Sequence, residues 1–159
     1  MPSHTIQIVP FEMKYANDFK ALNEEWISQF FKMECMDYLA LDNPKEYILD
    51  KGGYIAVALK DDTVVGVCAL IKTEASEYDF ELAKMGVSPK AQGQGIGFLL
   101  GQHILDKAKH LKASTVYLES NTKLVPAIKL YRKLGFVEIE GFVSPYERCD
   151  IQMVYSVNS

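Results

Sequence analysis

Apolar and polar positions along the chain fall into blocks whose period switches between two and about 3.6. Residues 4–9 alternate and read as a short first strand. A helical pattern follows, with Asn17 or Asp18 as its cap and Phe19, Leu22, Trp26 and Phe30 recurring on one face, which is expected to meet the core. Asn43-Pro44-Lys45-Glu46 opens a second helix. Asn43 caps it, Pro44 suits the first helical position, and Glu46 completes a capping box. Gly52-Gly53 ends it. Residues 54–60 and 63–73 form a hairpin around Asp61-Asp62, although no glycine stands at the turn. Gly66 marks a bulge or a close backbone approach. After a polar loop at 74–78, an apolar run at 82–87 reads as a buried strand, stopped by Ser88-Pro89. Helical period returns from Ile96 to Leu111. Residues 115–121 alternate again, with Tyr117, Glu119 and Asn121 on one face. A helix over 124–134 carries Pro126 in its first turn and stops at Gly135. Closing strands at 136–140 and 148–157 flank a loop with Gly141, Pro145 and Tyr146. The order is α/β with a mixed sheet: an antiparallel meander leading into a strand–helix–strand unit with a right-handed crossover.

Composition narrows the function. A chain of 159 residues is one domain with room for a core. Its net charge of −4 argues against nucleic acid as a partner, because a phosphate backbone demands a basic surface. No apolar run reaches membrane-span length and no signal segment opens the chain, so a cytoplasmic protein with no membrane partner is expected. Cys35, Cys68 and Cys149 give no C-x-x-C and no disulfide framework. His4, His103 and His110 have no metal-ligand spacing to cysteines or carboxylates, so no metal is expected.

The strongest chemical signal is Gln92-Gly93-Gln94-Gly95-Ile96-Gly97, between a strand and a helix. The first amides of a helix have no intrahelical partner and lie at the positive end of its dipole. Glycines let a phosphate approach them closely. The stretch therefore predicts a bound diphosphate of nucleotide type, against the plainer possibility of a tight turn that binds nothing. It is not a P-loop, which needs Gly-Lys-Ser/Thr. It is not a G-x-G-x-x-G turn either: counted from Gly93 and Gly95, the third glycine position holds Phe98.

Gln92-x-x-Gly95-x-Gly97 after a strand resembles the Gln/Arg-x-x-Gly-x-Gly/Ala signature of the GNAT superfamily of acetyl-CoA-dependent N-acetyltransferases. Ala127-x-x-Leu130-Tyr131-x-x-x-Gly135-Phe136 resembles that family's second characteristic segment. Two motifs in the right order are far more specific than either alone. The resemblance implies the GNAT fold: a mixed sheet of about seven strands with about four helices, splayed between its two central parallel strands. It also implies acetyl-CoA as co-substrate and a primary amine, small molecule or peptide N-terminus, as acceptor. A homodimer and a monomer are both left open.

The resemblance also distributes roles. Amides of residues 92–97 (Gln92, Gly93, Gln94, Gly95, Ile96, Gly97) hold the pyrophosphate, and the backbone of Met85, Gly86 and Val87 pairs with the pantetheine arm like an added strand. An amide of the same strand serves the thioester oxygen. Lys133, and less directly Lys129, faces the 3′-phosphate, with a solvated helix face as the alternative. Tyr131 stands at the departing sulfur. A phenol pKa of roughly 10 against roughly 8.5 for a thiol makes full proton transfer uphill by about 2 kcal/mol, so hydrogen bonding to the sulfur is the expected role. Glu81 and Glu119 are two candidate bases, each matching a different branch of the family; each also reads as an ordinary strand charge. Close together, one of them would be pushed toward its protonated form. Trp26 and Asn121 are candidates for the acceptor wall. Where the ribosomal-protein branch carries an asparagine, this chain has Leu124. No Cys–His pair supports a covalent intermediate, so direct attack is favoured. The rivals are a non-catalytic acyl-CoA-binding or interaction module on the same scaffold, and a nucleotide-binding protein of another fold.

Overall fold

The computed structural model describes residues 5–74, 77–140 and 144–157. His4, Ala75, Ser76 and Gly141 lie outside them. Seven strands form one sheet: β1 (Ile6–Pro10), β2 (Tyr54–Lys60), β3 (Thr63–Lys72), β4 (Phe80–Val87), β5 (Thr115–Ser120), β6 (Val137–Ile139) and β7 (Ile151–Ser156), ordered β1-β2-β3-β4-β5-β7-β6. All neighbours are antiparallel except β4 and β5. The helices are α1 (Ala16–Phe30), α2 (Cys35–Asp42), α3 (Ile96–His110) and α4 (Val125–Leu134).

Each face of the sheet has its own core. Ile96, Leu100 and Ile104 of α3 pack with Phe80, Leu82, Val116, Leu118 and Met153 on one face. Phe19 of α1, Leu41 of α2 and Ile48 pack with Ile55, Val57 and Val67 on the other. Full burial of each such side chain contributes about 1.5–3 kcal/mol. Gly66 is a close approach: a Cβ there would lie 2.9 Å from Leu100 Cδ1. The Asp61-Asp62 hairpin forms with both residues at positive φ (51° and 66°), the backbone that a two-residue turn demands and that aspartate tolerates.

Several expectations need correction. A third N-terminal helical element, α2, went unpredicted. Asn43 is its C-cap, donating from Nδ2 to the Leu39 carbonyl, and does not cap a following helix. Residues after Pro44 make one π-helical turn, Lys45–Leu49. Asn17 and Asp18 lie inside α1, which begins after Tyr15 with no side-chain cap. On α1 the buried positions are Phe19, Asn23 and Ile27, while Phe30 is 41% exposed. It lines a cavity instead of the core.

Candidate active site

β4 and β5 pair at two positions only, Phe80 with Val116 and Glu81 with Tyr117. Beyond them the strands part, and a cavity of about 740 Å³ fills the gap. The cause is in β4. Lys84 has φ +54°, and the register against β3 slips beside it: Ala83 faces Ala69, whereas Gly86 faces Val67. This is a bulge, which bends and twists a strand. It also reverses the faces. Phe80 and Leu82 point into the α3 core, and simple alternation would send Lys84 after them. The extra residue instead turns Lys84 and Gly86 toward α1 and α2, and Met85 and Val87 toward the α3 core. A Cβ on Gly86 would lie 3.1 Å from the Leu22 carbonyl oxygen and 3.3 Å from Trp26 Cδ1, so glycine lets α1 lie against the strand.

At one end of the cavity, Gln92, Gly93, Gly95, Ile96 and Gly97 line the wall. Gly93 and Gly95 have φ of +82° and +76°, the left-handed region that glycine enters freely. Gly95 is the N-cap of α3, with no side chain capping it, and the first intrahelical bond runs from Leu99 N–H to its carbonyl. The amides of residues 96–98 are therefore the unpaired donors of that helix end. Gln94 does not line the cavity; its Oε1 accepts from Lys60 Nζ. Lys133 lines it, with Nζ 4.5 Å from the Phe98 ring centre, whereas Lys129 does not.

Tyr131 lines the middle of the cavity and meets Phe136 edge-on. Burial pushes its phenol pKa upward, so the group is a neutral donor. Across the gap, Glu81 and Glu119 stand on the face that Tyr117 shares. The Tyr117 hydroxyl donates to Glu81 Oε1 at 3.3 Å. Burial raises the Glu81 carboxyl to about 7, and the Glu119 charge adds to this against Lys84 and the Tyr117 bond. Glu119 accepts from Ser144 Oγ (2.7 Å) and Gln152 Nε2 (3.2 Å).

A buried ion cluster, absent from the sequence reading, backs this end. Lys84 Nζ donates to Asp37 Oδ1 (2.8 Å) and to the Tyr146 hydroxyl (2.9 Å). Arg148 grips Asp37 with both terminal nitrogens (2.6 and 2.8 Å) and also reaches Glu34. Burial alone would raise the Asp37 carboxyl; Arg148 and Lys84 outweigh it and hold it at about 2. Burial lowers the Lys84 ammonium, against the pull of Asp37. Two signals were available. Glu34-x-x-Asp37 is a capping box, each side chain bonded to the other residue's backbone. A lone lysine inside an apolar strand needs a carboxylate.

Trp26 lines the cavity with Nε1 donating to Asn23 Oδ1, and Asn23 in turn donates to the Phe19 carbonyl. Asn121 also lines it, but its amide is spent on backbone: Nδ2 donates to the Arg148 carbonyl, and Oδ1 accepts from Lys123 N–H. Among the described residues no group of histidine, cysteine or carboxylate side chains could hold a metal. No helix among them is long and apolar enough to cross a membrane. The three cysteines are free thiols: Cys68 buried, Cys149 half-buried, Cys35 exposed.

A mixed sheet split between its two parallel central strands, with a glycine turn and an open helix N-terminus at the split, defines an acyltransferase of the GNAT class. The chain belongs to the acetyltransferase (GNAT) family, whose profile matches residues 19–136. It is 26% identical over 129 residues to an uncharacterised N-acetyltransferase of Schizosaccharomyces pombe, covering 79% of this chain and 78% of that one. It is 31% identical over 105 residues to the N-acetylaspartate synthetase of Rattus norvegicus, covering 65% of this chain and 35% of that protein's length. Its fold matches a GNAT acetyltransferase of Staphylococcus aureus at a TM-score of 0.84 and 20% identity, covering 97% and 100% of the two chains. A Salmonella typhimurium acetyltransferase solved with acetyl-CoA matches at 0.75 and 16% identity, covering 98% and 95%.

Proposed function

We propose that the chain moves an acetyl group from acetyl-CoA to a primary amine by direct attack in a ternary complex. The observation that carries this reading is one continuous cavity joining the glycine-turn amides, the open edge of β4, Tyr131 and Glu81. In this reading the amides after Gly95 meet the pyrophosphate, and Met85, Gly86 and Val87 offer their backbone to the pantetheine arm. A β4 amide donates to the oxygen that becomes negative as nitrogen attacks the carbonyl carbon. The C–S bond then breaks, and the electron pair leaves on sulfur. The neutral Tyr131 phenol donates a hydrogen bond to that sulfur.

Of the two carboxylates, Glu81 suits the base. An acceptor that arrives as ammonium first releases one proton to solvent, since only the neutral amine attacks. The nitrogen becomes strongly acidic once it has attacked, and a carboxylate poised near pH 7 takes its second proton, directly or through one water. Glu119 already accepts two bonds, and its charge helps to keep the Glu81 pKa high. The Glu81→Gln variant tests the assignment. Expressed against the concentration of neutral amine, the wild-type rate should rise with pH through a limb centred near 7 and level off above it, because the base works when deprotonated. The titratable groups facing Glu81 are Glu119, Lys84, Tyr117, Tyr47 and Tyr146. Glu81→Gln should lose the limb; the same limb in the variant removes Glu81 from the role.

A further inference from the structure

Resting on the amine-acetylation reading, we infer that the acceptor end of the cavity takes a primary amine on an apolar body of aromatic size, with no carboxylate. The wall on the α1 and α2 side is formed by Trp26, Phe31, Met36, Tyr47, Ile71 and Tyr146. Two of its three polar handles are engaged, and the third is the Tyr47 hydroxyl. Trp26 Nε1 is committed to Asn23, and the Tyr146 hydroxyl accepts from Lys84, so both present ring surface to a ligand. Phe30, 41% exposed, extends the same apolar wall at the mouth. Large rings held at a cavity surface mark a place where apolar surface is to be covered.

The charges point the same way. A ligand carboxylate would need a cation with spare bonding capacity. The two cations in this wall, Lys84 and Arg148, are already paired with Asp37 and Glu34. Lys123 at the mouth donates to the Phe30 carbonyl and lies over the Phe31 ring. Lys123 has no carboxylate partner, but a carboxylate carried next to the reacting amine would lie beside Glu81, where the groups left for a ligand are acidic: Glu81 and Glu119. An arriving ammonium is attracted there and a carboxylate is repelled. A polyamine would gain from the acidic pair but leave the aromatic wall against water.

The test uses the full chain, acetyl-CoA and thiol release, with phenethylamine, phenylalanine and spermidine as acceptors. Phenylalanine adds only a carboxylate to phenethylamine, and spermidine replaces the ring with charge. Phenethylamine should exceed each by at least about tenfold in kcat/KM. Trp26→Ala and, separately, Phe31→Ser should each reduce kcat/KM for phenethylamine by about tenfold. The second variant removes a ring away from the helix–strand contact and guards against misfolding of the first. Equal or better use of phenylalanine or spermidine overturns the inference while leaving amine acetylation standing. Binding of acetyl-CoA without thiol release with any of the three amines overturns both.

Discussion

Under α3, the sheet face is held by Ile96, Leu100 and Ile104, each at most 1% exposed, and the polar groups at its rim are backbone amides with no partner in the helix. Under α1 and α2, a lysine, an arginine and two carboxylates sit in or behind the wall, and every charge among them is paired. The first side keeps its hydrogen-bonding capacity in hand, and the second has used it. A diphosphate can therefore be gripped at the α3 end by donors whose orientation costs nothing further. The opposite end offers shape, apolar surface and the two carboxylates at the strand gap. The bulge at Lys84 divides the two regimes, because it decides which face each β4 side chain joins.

The contrast predicts unequal damage. Asp37→Ala should have the largest effect: it strands the buried Lys84, leaves Arg148 with Glu34 alone, and should cost about 3–5 kcal/mol, read by urea unfolding. The wild-type protein should also show an acid limb. Asp37 has a folded pKa of about 2 against an ordinary 3.8, so its contribution is complete above 3.8 and is lost as pH falls toward 2. That contribution is about 2 kcal/mol and should be missing from the variant. A loss below about 1 kcal/mol would mean that the cluster does not brace the acceptor wall.

Tyr131→Phe comes next. It should lower kcat by about 100-fold while leaving the affinity for CoA unchanged, as steady-state kinetics and calorimetry would show. A parallel loss in both would make it a packing residue. Gly95→Val forces a β-branched residue to φ +76°, displacing the amides after it. CoA binding should weaken by about tenfold with a strain cost of about 1–2 kcal/mol. Unchanged affinity would remove the turn from the diphosphate. The smallest effect belongs to Lys133→Ala, about threefold weaker CoA binding, whereas Lys129→Ala should change nothing because that residue lies off the cavity.

Much of the architecture was legible from period and punctuation. The α3 end was easiest: a strand stop, glycines and a renewed helical period are all local signals, and β4, α3, β5 and α4 emerged within a residue or two of the expected bounds. The acceptor end was not. α2 opens on glutamate, which is outside the short polar residues that ordinarily mark a helix start, so its capping box leaves little signal in the sequence. Phe30 obeyed the helical spacing yet faces the cavity, because α1 runs past the end of its core contacts. Asn121 sits where expected but is occupied by backbone.

By itself the sequence determined the order of elements, the glycine turn and the Tyr131 segment, because each depends on residues close along the chain. The pairing of Lys84 and Arg148 with Asp37, and the raised pKa of Glu81, were decided only in three dimensions. Residues 47 and 111 positions apart in the chain must first be folded together before their charges can cancel. A bulge that turns one lysine from one face to the other leaves no mark in the local pattern, since it is set by how β4 registers against β3.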